Sequence, residues 1–179
     1  MRRLAFFETA IGRCALAWGP AGVAAVRLPG ASDAATRAAL LRAVPDAVAA
    51  PLRDAGADAA LAMTALLAGE RDETGAIGLD MDGVGAFESA VYRQARAIPA
   101  GQTRSYGEIA AALGDPHLAR AVGVALGRNP FVIVVPCHRV LAAGKRTGGF
   151  SAPGGVATKL RMLEIERAAF GPRDLFSPP

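Results

Sequence analysis

The sequence predicts a mixed α/β (α+β) fold: a small three-stranded antiparallel sheet with helices over residues 1–85, then a mostly helical unit over residues 86–179 containing a winged-helix-like helix-turn-helix. Three observations predict it. Near the start, three segments rich in aromatic and aliphatic residues are cut by Gly and Pro, as strands of a meander are. From Ala86 the apolar spacing changes to the 3.6-residue period of a helix. Between Ser105 and Gly127, two helical stretches flank Gly114-Asp115-Pro116, the kind of short turn that joins the helices of a helix-turn-helix.

The three strand segments are residues 4–9, 13–18 and 23–28. Ser32 then reads as an N-cap, because its hydroxyl can accept a free amide of the first turn, and an Ala/Leu-rich helix follows to about Val44. A second helix is expected over 57–67. The polar, Gly-containing stretch 69–85 carries at most one short strand, over 77–81, and ends the first domain. Phe87, Val91, Ala95 and Ile98 then mark one helical face, which Pro99-Ala100-Gly101 terminates. Residues 105–113 form the next helix, with Ile109 and Leu113 inward, and Pro116 begins a helix reaching Gly127. Asn129-Pro130 leads into a buried strand or extended run over 131–135, then a Gly-rich loop over 144–155 and a last helix over 156–167.

Composition narrows the class. With 52% hydrophobic and 20% charged residues, the chain suits a folded, water-soluble body rather than disorder or a fibre. The apolar run before Glu8 is only four residues, Leu4 to Phe7, too few for a signal peptide, and no run approaches the ~20 needed to span a bilayer, so a cytoplasmic protein without membrane association is expected. Residues 1–85 carry a net charge of −2 and residues 86–179 a net charge of +6. A basic half of that kind suits a polyanion such as nucleic acid, although a solvated basic surface has the same composition. Cys14 and Cys137 form no metal-ligand spacing with either histidine; Cys14, inside a predicted strand, reads as core.

Cys137 differs. In Pro136-Cys137-His138-Arg139-Val140 it follows an apolar run and precedes a Gly-rich loop, so its thiol belongs at the edge of the core. A free thiol is mostly protonated at neutral pH and needs a base such as His138, directly or through a water, to become a nucleophile. A carboxylate on the last helix, Glu164 or Glu166, can orient the imidazole. Taken alone, a Cys beside a His is more often a packed thiol next to a satisfied histidine.

Its company changes that reading. From Phe87 to Glu166 the chain resembles the O6-alkylguanine-DNA alkyltransferases, also called methylated-DNA-protein-cysteine methyltransferases. The matching pieces are Ile98-Pro99-Ala100-Gly101, Ser105-Tyr106-Gly107-Glu108-Ile109-Ala110, Ala119-Arg120-Ala121-Val122-Gly123, Asn129-Pro130, Pro136-Cys137-His138-Arg139-Val140, and Lys159 with Leu163 and Glu166. They stand in the family's order over about 80 residues. The first 85 resemble the family's variable N-terminal domain only in size and sheet-like character.

The resemblance implies a single-use repair protein that flips O6-alkylguanine, or O4-alkylthymine, out of double-stranded DNA and keeps the alkyl group on Cys137. It implies His138 as general base through a water, Glu166 as its orienting carboxylate in preference to Glu164, and Asn129 as the brace of the turn that presents the thiol. Tyr106 is implied as donor to N3 of the base, with Val140, Ser151 and Phe150 around the base edge. Arg120 is implied as the side chain that fills the stack, on a helix lying in the minor groove with little sequence preference. Ala119 and Gly123 on that helix, Ser105 and Arg128 are further expected DNA contacts. For Ala119, Gly123 and Gly127, tight helix packing inside the protein is the competing reading. No metal or organic cofactor is implied, and a monomer is expected.

Departures from the pattern are few. Phe150 stands where many members carry tyrosine, and the loop after it is about two residues longer than in some members. A DNA-damage sensor of the alkyltransferase-like type carries tryptophan at the acceptor position, where this chain has Cys137. A cysteine hydrolase would leave the helix pair unexplained.

Overall fold

The computed structural model describes residues 1–170. Strands β1 (Arg3–Thr9), β2 (Gly12–Gly19) and β3 (Gly22–Arg27) form the expected antiparallel meander. Its second turn depends on Gly22, which sits at φ +119° and whose missing Cβ would lie 2.5 Å from the Gly78 carbonyl oxygen. Helix α1 (Asp33–Ala43) follows, with the Ser32 side chain accepting the Ala35 amide as its N-cap.

The sheet has four strands rather than three. A two-residue strand β4 (Val48–Ala49) adds parallel to β1, giving the order β3-β2-β1-β4. Helix α2 (Asp54–Leu67) begins three residues earlier than predicted, and its Gly56 lies against the Trp18 indole, where a side chain would collide. The strand expected over 77–81 is a single bridge, Val23 to Leu79, held by the Val23 amide on the Gly78 carbonyl and the Asp80 amide on the Val23 carbonyl.

Both faces of β2 are buried. Ala15 and Ala17 meet Leu40 and Val44 of the α1 side, while Cys14, Leu16 and Trp18 face the main core. Period-two alternation thus divides one apolar strand between two layers. The main core also takes in Val91, Tyr92, Ile109, Val122, Phe131 and Met162, so it runs across the boundary expected at residue 85.

The second half is built from α3 (Ala86–Arg96), β5 (Arg104–Ser105), α4 (Tyr106–Ala112), α5 (Ala119–Gly127), β6 (Val140–Leu141) and α6 (Gly155–Ile165). Helix α4 opens on a reciprocal cap: the Glu108 amide donates to Ser105 Oγ and the Ser105 amide to the Glu108 carboxylate. Gly114, at φ +100°, makes the turn. Pro116 starts a single 3-10 turn (Pro116–Leu118) and α5 begins only at Ala119, a correction of three residues. The apolar run 131–135 is also corrected: it folds back on itself, with the Val135 amide donating to the Phe131 carbonyl and Ile133 at φ +78°. A β-branched residue in that region costs roughly 1–3 kcal/mol, which the surroundings must offset. Among the described residues, no helix is long and apolar enough to cross a membrane.

Candidate active site

The fold-back of 131–135 is what presents Cys137. Buried Asn129 clips it at both ends: its Nδ2 donates to the Val135 carbonyl at 2.8 Å, and its Oδ1 accepts the Phe131 amide at 2.9 Å. The Cys137 amide donates to the same Val135 carbonyl, and residues Cys137–Arg139 close a 3-10 turn. Successive side chains on such a turn diverge by about 120°, not by the 180° of a strand. His138 is therefore turned into the protein, fully buried, while Cys137 keeps 8% of its surface.

Beneath the thiol lies a charged network. His138 Nε2 stands 2.8 Å from Glu166 Oε1. Arg139 grips the same carboxylate, Nε on Oε2 at 2.9 Å and Nη2 on Oε1 at 2.8 Å, and donates to the Ile98 carbonyl and to Asp72 Oδ2, each at 2.7 Å. Glu164, by contrast, is exposed and faces Arg161 at 3.7 Å. Of the two candidate carboxylates, the structure brings only Glu166 to the imidazole.

Burial works against an ionised Glu166, but hydrogen bonds from His138 and Arg139 and their charges outweigh it and hold its pKa at about 2. Burial also pushes the His138 pKa down, further than Glu166 raises it, so the pair rests as neutral imidazole and carboxylate. With Nε2 engaged, Nδ1 is the free nitrogen; it has no hydrogen-bond partner among the described residues. A buried nitrogen in that condition is the natural place for a proton acceptor.

Burial pushes the Cys137 thiol up as well, while the Asn129 side chain, the Lys159 charge and the amides of Cys137 and His138 draw it down. The resting thiol is protonated and surrounded by groups that favour its anion. Lys159 is fully buried on α6; its Nζ donates to the Val140 carbonyl at 2.6 Å and lies 5.9 Å from the centre of the Tyr106 ring. Its burial brings its pKa down to about 8.

Above the sulfur is a cavity of about 470 Å3 lined by Tyr106, Gly123, Leu126, Cys137, Gly149 and Phe150, among others. This size lies within the range of small-ligand sites. The parallel pairing of β5 with β6 delivers Tyr106 here: Ser105 pairs with Leu141, so the residue starting α4 is carried to the Cys137 turn. Burial and the nearby Cys137 raise the Tyr106 pKa, which keeps the phenol a donor. Ser151 also lines the cavity, its hydroxyl donating to the Gly127 carbonyl. Val140 does not line it; it is buried below.

The expected DNA contacts fall on one side. Arg120, Val124 and Arg128 are exposed on or just after α5, and Ala119 and Gly123 are half-buried beside them. Ser105 is half-buried and its hydroxyl is occupied by the α4 cap. A Cβ at Gly127 would meet nothing within 4 Å, and one at Gly123 would touch only the Tyr106 ring at an ordinary 3.8 Å. Packing inside the chain therefore does not require either glycine.

Sequence reasoning gave no role to three residues of this centre: Arg139, Asp72 and Lys159. An arginine inside an otherwise apolar, buried segment was a usable signal, since a buried guanidinium demands carboxylate partners. Nothing local pointed to Asp72, 67 positions away from Arg139.

Residues 86–168 match the family model described as "6-O-methylguanine DNA methyltransferase, DNA binding domain". The chain is 46% identical over 117 residues to the methylated-DNA-protein-cysteine methyltransferase of Mycobacterium leprae, an alignment spanning 65% of this chain and 68% of that one. The corresponding protein of Salmonella typhimurium is 49% identical over 80 residues, 45% of this chain and 46% of its own. Among solved structures, Mycobacterium tuberculosis OGT in complex with DNA is similar over 97% of both chains, with a TM-score of 0.76 and 34% identity. The O6-methylguanine-DNA methyltransferase of Pyrococcus kodakaraensis is similar over 93% of this chain and 99% of that one, with a TM-score of 0.69 and 28% identity.

Proposed function

This chain belongs to the O6-methylguanine-DNA methyltransferase family, and from that membership we propose how its own residues carry the transfer. The protein repairs alkylated DNA by moving the alkyl group to a cysteine, and Cys137 is that cysteine. Its sulfur lies at the base of a purine-sized cavity and is backed by a buried, charge-oriented imidazole, the observation on which the reading rests.

His138 takes the thiol proton at Nδ1 through one water, and the imidazolium so formed faces the Glu166 carboxylate at 2.8 Å. Lys159 and the Asn129 brace favour the thiolate until it attacks. The sulfur then forms a bond to the alkyl carbon as the carbon–O6 bond breaks. The electron pair passes to O6 and the ring is protonated, with Tyr106 donating at N3. The product is a neutral thioether, a very poor leaving group, so each molecule acts once.

The target must first leave the duplex, at a cost of a few kcal/mol in stacking and pairing. Helix α5 lies in the minor groove, its glycines allowing close approach and Arg120 entering the stack where the base was. Phe150 and the backbone of Ser151 wall the base edge; Val140 serves through its carbonyl bond to Lys159 rather than by contact. Ala119 and Arg128 meet the backbone of the same duplex. Residues 1–85 act as a docked unit on the second domain, 86–179, and the protein works as a cytoplasmic monomer, where reducing conditions keep the thiol free.

Incubation with a duplex containing O6-methylguanine, followed by intact-mass and peptide analysis, tests the reading. One added methyl on the Cys137 peptide, at no more than one per molecule, is expected. Tight binding with unchanged mass would instead mark a damage sensor, and modification at Cys14 would refute the assignment.

A further inference from the structure

A second cavity of about 560 Å3 also reaches Cys137, but from the seam between the two halves of the chain. One wall is the end of β3 and the exposed side of α1; the other is the end of α5 and the loop after Phe150. Its ionisable side chains, Cys137 apart, are three arginines: Arg27, Arg42 and Arg128. No acidic residue lines it, and none of the three arginines forms a salt bridge among the described residues. Arg27 is held in the wall by its Nη1, which donates to the Val26 and Pro130 carbonyls at 2.8 and 3.2 Å; its Nε and Nη2 make no hydrogen bond among the described residues.

Three guanidiniums from three elements, without a carboxylate among them, make a field that favours an anion. Burial, and then repulsion from Arg42, lowers the Arg27 pKa, as expected where positive charge is left uncompensated. Leu28, Leu126 and Phe150 supply apolar wall in the same cleft. The cleft thus brings apolar wall and three cations together with the Cys137 sulfur.

We propose that this cleft is an anion subsite of the acceptor centre, filled either by a carboxylate at the end of an O6 substituent or by a phosphodiester of the bound strand. It rests on the reading of Cys137 as the alkyl acceptor. For an O6-carboxymethyl lesion the balance is that of methyl transfer: sulfur bonds to the CH2 carbon, the carbon–O6 bond breaks with its electron pair going to O6, and the ring gains a proton. The carboxylate stays on the transferred group, beside the arginines.

Two variants test it: Arg42→Glu, at an exposed position, and Arg27→Gln, which keeps hydrogen-bonding capacity. Each is measured in single-turnover transfer from O6-methylguanine and O6-carboxymethylguanine duplexes, and in binding to undamaged duplex across a salt series. If the substituent is the anion, carboxymethyl transfer falls by about tenfold or more, as loss of a charged hydrogen bond dictates, while methyl transfer and affinity hold. If a phosphate is the anion, affinity for every duplex falls and the slope of log affinity against log salt becomes shallower by about 0.9. Folded variants that leave both transfer rates and the salt slope unchanged overturn the proposal. Failure of the unaltered protein to take a methyl group refutes the acceptor reading instead, and the salt series still decides the cleft.

Discussion

Replacing Glu166 by Gln keeps the outline of the side chain while removing the charge that faces His138. The imidazole nitrogen and carboxylate oxygen are 2.8 Å apart and both side chains are buried. At an effective dielectric of about 20 their attraction, once His138 carries the Cys137 proton, is about 6 kcal/mol. The amide oxygen retains a hydrogen bond, but Arg139 is then balanced by Asp72 alone and repels the imidazolium. A loss of about 4 kcal/mol is expected, close to 10^3 in the transfer rate and inside the range for positioned general bases. Single-turnover mixing with an O6-methylguanine duplex, quenched and read as methylated Cys137 peptide, measures it.

A pH series separates this from loss of folding. His138 works only when neutral, and because burial depresses its pKa, the rate of the unaltered protein holds below the ordinary histidine value of 6.5 before falling in acid. Without Glu166 to raise it, that acid limb moves to lower pH while the plateau drops. Stability moves separately: a carboxylate at about 2 in the fold and 4.5 by its ordinary value contributes about 3 kcal/mol, present above pH 4.5 and lost as pH falls toward 2. The Gln variant lacks that dependence. A folded Glu166→Gln protein within threefold of the unaltered rate, with its acid limb in place, would refute the proposed role.

Gly127→Ala should leave Tm unchanged or raised, since alanine favours a helix by up to about 1 kcal/mol and the new methyl meets nothing; duplex affinity should fall several-fold, and an unaltered titration would count against close approach by α5. Lys159→Met should move the midpoint of Cys137 alkylation by iodoacetamide to higher pH, because a charge favouring the thiolate is gone; Cys14, pushed up to about 11 by burial, does not interfere. An unmoved midpoint removes Lys159 from the centre. Asp72→Asn should cost about 1–2 kcal/mol, a charged hydrogen bond discounted for partial exposure, and lower the urea midpoint without altering the Cys14 environment. No change in that midpoint would show that Arg139 is satisfied without it.

Elements whose signals are local were legible in the sequence. Ser32 and Ser105 cap helices because a hydroxyl at that position meets amides within three residues, and the strand meander is marked by its Gly and Pro turns. Strand β4 was not legible, because two residues carry no periodicity and its partner Arg3 lies 45 positions earlier. The run 131–135 misled for a different reason. A short apolar stretch has the same composition whether extended or folded back, and only Asn129, through bonds to Phe131 and Val135, selects the fold-back. The sequence therefore marks Cys137 as the end of this apolar run, but not the fold-back and 3-10 turn that carry it.

The charge network ties the first half of the chain to the surroundings of Cys137. Three of the acceptor's supports, His138, Arg139 and Glu166, lie within 30 residues of each other, yet they leave a guanidinium sharing one carboxylate with an imidazole. Asp72 supplies the second carboxylate, at 2.7 Å from Arg139. Its own pKa is lowered, hydrogen bonds from Thr74 and Arg139 overcoming burial. With Arg139 so balanced, Glu166 can remain an anion toward His138 instead of being spent on the arginine. The segment around Asp72 thus completes the charge balance beneath Cys137, while the first half shares the core with the second, and a chain truncated before Ala86 should lose both.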